Sequence, residues 1–107
     1  MDSSEYQVLL MTASSTDEAH AIADRLVNER LAACVNIVDK MTSVYRWKGD
    51  IVKDAEALMI AKTRRADFDR IKELVTELHS YDVPEIIGFD LTSIAEPYRD
   101  FLKDVLG

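Results

Sequence analysis

The stretch from Cys34 to Thr63, CVNIVDKMTSVYRWKGDIVKDAEALMIAKT, limits the folds open to this chain more than any other. Two runs rich in β-branched and aromatic residues flank Lys48-Gly49-Asp50, the pattern of a hairpin whose glycine takes the positive-φ position of a short loop. At about 3.3 Å per residue, an arm of about 14 residues spans roughly 46 Å. A compact domain of 107 residues has a radius of gyration of only about 13 Å, so the tip must project. A projecting two-stranded ribbon is marginally stable by itself and exposes unpaired N–H and C=O groups along its edges. Another copy of the same chain is the least costly partner, and the hairpin therefore predicts a closed homo-oligomer.

The remaining segments supply a body for this ribbon. Tyr6 to Ala13 is a nearly continuous apolar run, as expected of a central strand buried on both faces. Ser15 and Glu18 have the S-x-x-E spacing of a capping box, and Ala19, Ile22, Ala23, Leu26 and Val27 form one helical stripe running to about Arg30. Asp39-Lys40 interrupts the apolar pattern of the first long strand and predicts a bulge or bend. In the second arm Glu56, Leu58, Ile60 and Lys62 share one face, and the small face of Ala55, Ala57, Met59 and Ala61 is expected under helices.

A second helix is expected from Arg64 to His79, with Phe68, Ile71, Leu74, Val75 and Leu78 buried. Val83, preceding Pro84, is steered away from helical dihedrals. Glu85 to Leu91 reads as a short strand with Ile87, Phe89 and Leu91 on one face. Pro97 opens a last helix with a stripe of Tyr98, Phe101, Leu102, Val105 and Leu106. The order is β-α-β-β-α-β plus a C-terminal helix, an α+β ferredoxin-like arrangement with one antiparallel sheet, forming a single domain over 1–107.

Thirteen Lys and Arg against twenty Asp and Glu give a net charge of −7, which disfavours nucleic acid and anionic lipid as partners and suits cations. No apolar run approaches the roughly 18 residues of a membrane span, and the acidic, polar N-terminus does not read as a signal peptide, so a cytoplasmic protein is expected. Cys34 is the only cysteine, which excludes an intrachain disulfide and CxxC motifs; beside Ala32 and Ala33 it reads as a buried small residue.

Four blocks then carry a resemblance: ERLAACVN (29–36), SVYRWKGD (43–50), EALMIAKT (56–63) and HSYDVPEII (79–87). In this order and spacing they resemble the CutA divalent-ion tolerance family over almost the whole chain. The resemblance implies a tight homotrimer, similar in architecture to the PII signalling proteins, with strands paired across subunits. It also implies binding of copper or another divalent cation in a tolerance role, with no catalytic reaction attached, so an enzyme is not expected. Where some members carry cysteine this chain has Met11, and a thiolate ligand is not available there.

Three groups of residues are candidates for function. His79, Asp82 and Glu85 lie in one helix-to-strand loop, where imidazole and carboxylate suit copper or zinc, and Met11 would add a thioether for Cu(I). Glu56, Lys62, Tyr81 and Glu85 would line a cleft between protomers if subunits meet along these strands. Tyr45 and Trp47 near the hairpin tip are expected to contact a neighbouring subunit. The metal is not expected to be needed for folding. Two other functions fit the same features: a PII-like sensor holding a small ligand between subunits, and a scaffolding trimer acting through a protein partner.

Overall fold

The computed structural model describes residues 5–107. β1 (Tyr6–Ala13), α1 (Thr16–Asn28), β2 (Ala32–Trp47), β3 (Asp50–Arg64), α2 (Phe68–Leu78), β4 (Ile86–Asp90) and α3 (Glu96–Leu106) follow in that order, with a 3₁₀ turn over Arg65–Asp67 before α2. The strands form one antiparallel sheet ordered β2-β3-β1-β4, the ferredoxin-like arrangement. Sixteen residues of β2 and fifteen of β3 draw the molecule out to 46 × 25 × 24 Å. At the tip Lys48 and Gly49 both take positive φ, 48° and 89°, as a two-residue loop between right-handed twisted strands requires.

The ends of the helices follow from local chemistry. Ser15 caps α1, its hydroxyl accepting the Glu18 N–H at 3.1 Å. The reciprocal half of the expected capping box is displaced: the Glu18 carboxylate accepts from the Ser14 N–H at 3.0 Å and, across the fold, from the Ser80 N–H at 3.0 Å. The chain leaves α1 two residues earlier than the periodicity predicts. Arg30 turns to φ 56°, and Leu31 N–H reaches back to the Leu26 carbonyl while Arg30 N–H bonds that of Val27, the paired bonds of a left-handed C-terminal cap. α2 likewise starts at Phe68 rather than Arg64, because Arg64 still pairs with Tyr6 in the sheet and its guanidinium holds Asp67 at 3.0 Å. α3 begins at Glu96, one residue before Pro97.

Alternation along the strands divides the core. Leu9 and Met11 of β1 join Ala57, Met59 and Ala61 of β3 beneath Ile22 and Leu26 of α1 and Ile71 and Val75 of α2. Of the small face of β3, Ala57, Met59 and Ala61 therefore lie under helices as expected, whereas Ala55, further out along the hairpin, is exposed. Tyr6 points to the other side of the sheet, where Leu102 and Leu106 of α3 cover it. α3 protects only that end, so Tyr98 and Phe101, expected in its buried stripe, remain exposed with their rings 5.5 Å apart.

Among the described residues nothing covers the rest of this second face. By register it carries Val8, Leu10, Leu58 and Ile60, all half-buried, beside exposed Val38, Ile87 and Phe89, the last 53% exposed. A contiguous apolar sheet face of this kind is the usual mark of an interaction surface.

The expected bulge lies where Val38 pairs with Leu58 but Met41 pairs with Glu56, and Lys40 takes φ 58°. One extra residue in β2 reverses which side chains face which way. Before the bulge Asn36 and Val38 share the face of Ile60 and Leu58. After it Met41, Ser43, Tyr45 and Trp47 share the face of Glu56, Asp54, Val52 and Asp50. Thr16 fixes the bulge to the start of α1 through its hydroxyl, 2.7 Å from the Asp39 carboxylate.

Candidate functional site: an acidic, aromatic depression

The bulge brings the hairpin's aromatic residues over the end of the uncovered sheet face. An open depression of about 400 Å³ forms there, lined by Thr12 of β1, Tyr45 and Trp47 of β2, Glu56 of β3, and Tyr81, Asp82, Val83 and Glu85 of the loop after α2. Glu56 is only 8% exposed, and its carboxylate accepts the Tyr81 hydroxyl at 2.9 Å. One residue pair further out on the same face, the Tyr45 hydroxyl donates to Asp54 at 2.5 Å. Among the described residues no ion pair involves Asp54, Glu56, Asp82 or Glu85.

Both phenols are shifted upward, by burial, by hydrogen bonds and in part by these carboxylates. Burial raises the Tyr81 pKa well above the ordinary phenol range, and the Glu56 hydrogen bond, with the charges of Glu56 and Asp54, adds to it. The hydrogen bond to Asp54 raises Tyr45 in the same direction. Both hydroxyls therefore stay protonated donors at neutral pH, leaving the carboxylates free to accept from something else.

His79 holds the loop in place. Its side chain is 1% exposed. Nε2 lies 2.7 Å from the Thr12 carbonyl, which can only accept, and Nδ1 lies 3.0 Å from the Tyr81 N–H, which can only donate. The ring is thus the neutral tautomer with the proton on Nε2, and both nitrogens are committed to the backbone. The Glu18 carboxylate, 3.5 Å from Nδ1, sits behind it; burial pushes the Glu18 pKa up, and the hydrogen bonds donated by Ser14 and Ser80 outweigh it and hold the pKa below its ordinary value.

The residues proposed from sequence thus fall into separate places. Tyr81, Glu56 and Glu85 line one depression with Tyr45 and Trp47. Lys62 does not: its ammonium donates to the Asn36 side-chain Oδ1 and lies 3.9 Å from the Cys34 sulfur, and Cys34 itself is half-buried rather than part of the core. Met11 is 1% exposed and faces α1 and α2, on the opposite side of the sheet from Glu56. The four residues expected to hold copper are therefore not brought together: Asp82 and Glu85 are at the depression, His79 is spent on backbone bonds, and Met11 is in the core. Asp54 was not singled out from sequence, although counting two residues back from Glu56 along β3 places it on the same face.

Comparison with known proteins bears on what such a site serves. The family described as CutA1 divalent ion tolerance protein matches residues 7–105. The chain belongs to this family. The divalent-cation tolerance protein CutA of Thermus thermophilus is 46% identical over 101 residues, covering 94% of this chain and 98% of the relative. The chloroplastic protein CutA of Arabidopsis thaliana is 39% identical over 97 residues, 91% of this chain; the chain spans about half of that relative, 53%. Among solved structures, the Thermus thermophilus CutA1 superposes with a TM-score of 0.92 at 45% identity, covering 95% of this chain and 99% of that one. The periplasmic divalent cation tolerance protein CutA of Archaeoglobus fulgidus superposes with a TM-score of 0.92 at 33% identity, covering 95% and 99%.

Membership in the CutA1 family raises the question of how a divalent ion would fit. Among the described residues no three His, Cys, Asp or Glu side chains form a ligand cluster within one protomer. The depression offers carboxylate and phenol oxygens, which suit a divalent ion that keeps part of its water shell. The imidazole and thioether that would favour copper are engaged elsewhere. The donor set therefore fits a hydrated divalent ion and provides no closed copper site in a single protomer.

Proposed function

We propose that this CutA1-family protein is a homotrimer that binds divalent cations at the Glu56–Tyr81 depression, in a role of metal tolerance. The observation that carries the reading is that Glu56, Asp82 and Glu85 line one depression, with Asp54 next to Glu56 on the same strand face, none of them ion-paired among the described residues. Burying Glu56 without a countercharge is costly, and a bound cation removes that cost. Trimer formation supports the site because it would cover Val38, Ile87 and Phe89 and place the depression at a subunit boundary, where donors from a second copy and water can complete the shell. Copper enters as one divalent ion among others, and carboxylate donors do not single it out.

Calorimetric titration of metal-stripped protein with manganese, zinc and copper(II) tests this. Saturable binding of divalent ions, weakened in the Glu56→Gln/Glu85→Gln variant, is expected. Binding unchanged in that variant removes the depression from the account. The PII-like small-ligand reading draws on a different observation, the aromatic walls of the same depression.

A further inference from the structure

We propose that the depression binds an organic cation, an alkylammonium or guanidinium group, held by Glu56 and its neighbouring carboxylates and enclosed by Tyr45, Trp47 and Tyr81. This rests on reading the depression as a cation site and names a ligand class that the metal reading leaves out.

A metal ion would use only part of what is there. The space of about 400 Å³ is far larger than an ion, and Val83, the indole of Trp47 and the two phenol rings offer nothing to a hydrated one. An anion is repelled by the carboxylates of Glu56, Asp82 and Glu85, and both phenol hydroxyls already donate to carboxylates. A neutral ligand leaves Glu56, only 8% exposed, without a countercharge among the described residues, where its carboxylate accepts from the uncharged Tyr81 hydroxyl. An organic cation satisfies both halves of the lining: its N–H groups or positive charge meet the carboxylates, and its hydrocarbon or planar faces meet the aromatic rings. Burial is the main cause of the raised Tyr81 pKa, and the hydrogen bond to Glu56 and the charges of Glu56 and Asp54 add to it. The chain already shows this chemistry at the tip, where the Lys48 ammonium lies 5.9 Å from the centre of the Trp47 ring. Lys48 is exposed and pairs with none of the carboxylates of the depression, so it leaves their charge unanswered.

The cation has two possible sources with one chemistry: a free small molecule, or a Lys or Arg side chain of a neighbouring copy. Trp47 is the only tryptophan in the chain and lines the depression, so its fluorescence reports occupancy directly. The full-length protein is titrated with tetramethylammonium and with methylguanidinium at constant ionic strength, sodium chloride serving as the blank. A saturable fluorescence change is expected for at least one probe, with affinity reduced about tenfold or more in Glu56→Gln, the worth of a charge-assisted hydrogen bond. Circular dichroism checks that the variant is folded, and Tyr81 can still donate to the glutamine carbonyl. If neither probe saturates but folded Glu56→Gln loses its oligomeric state in native mass spectrometry, the cation is a side chain of a neighbouring copy. If neither probe saturates and the variant keeps its oligomeric state, the proposal is overturned. Manganese titrated in parallel separates the two readings: manganese binding without either organic-cation result leaves the metal reading standing alone, and saturation by an organic probe without manganese binding does the reverse.

Discussion

Replacing His79 with alanine should damage the fold and, by loosening the loop that carries Tyr81, Asp82 and Glu85, weaken cation binding without abolishing it. The ring is 1% exposed and bridges β1 and the loop after α2: Nε2–H to the Thr12 carbonyl at 2.7 Å, and the Tyr81 N–H to Nδ1 at 3.0 Å. Alanine leaves that carbonyl and that N–H without partners. Each lost bond is worth about 1 to 1.5 kcal/mol. The ring also packs on Tyr81 with centroids 4.8 Å apart, and losing this contact adds about 1 kcal/mol. The sum is a loss of about 3 to 4 kcal/mol per protomer. Urea unfolding of wild type and His79→Ala, at the same protein concentration because an oligomer's midpoint depends on it, measures this. Manganese and copper titrations under folding conditions complete the comparison. An unchanged urea midpoint together with loss of metal uptake would refute the reasoning, since it would make His79 a ligand and not a brace.

Two further perturbations test neighbouring parts of the structure. Glu18 has a folded-state pKa below its ordinary 4.5, so its contribution to stability is present above that value and is lost as pH falls through the folded one; Glu18→Gln should be less stable at pH 7 and show a shallower loss of stability on acidification between about pH 5 and 3, read from urea midpoints across that range. Phe89, 53% exposed on the uncovered sheet face, makes little of the protomer's own core, so Phe89→Asp should keep the far-ultraviolet spectrum of the wild type and sediment as a smaller species; an unchanged sedimentation coefficient would show that this face is not the subunit contact.

Much of this architecture is legible in the sequence because it is local. Gly49 between two β-rich runs specifies the hairpin, Asp39-Lys40 marks the bulge, and the small residues Ala57 and Ala61 mark the face under the helices. The consequence of the bulge is harder to read. A single extra residue reverses the facing of Tyr45 and Trp47, and only the observed register, with Met41 opposite Glu56, says where the extra residue sits. The role of His79 is invisible for a different reason: both its hydrogen-bond partners are backbone groups, and one of them, Thr12, is 67 residues away. Backbone acceptors leave no residue-type signature, so a histidine near two carboxylates reads as a ligand until its nitrogens are accounted for. Glu18 reads as half of a capping box, whereas the structure also gives it the Ser80 N–H, 62 residues distant. The exposed Tyr98 and Phe101 show the limit of helical periodicity, which identifies an apolar stripe without saying how much of it another element reaches.

Native mass spectrometry of metal-stripped protein, titrated with manganese and with copper in both oxidation states, tests the central claim most directly. The account predicts a trimer whose uptake of divalent ions is weakened but retained in His79→Ala, through the loosened loop, and lost in Glu56→Gln/Glu85→Gln. A monomer, or uptake that is lost with His79 and retained without Glu56 and Glu85, would contradict it.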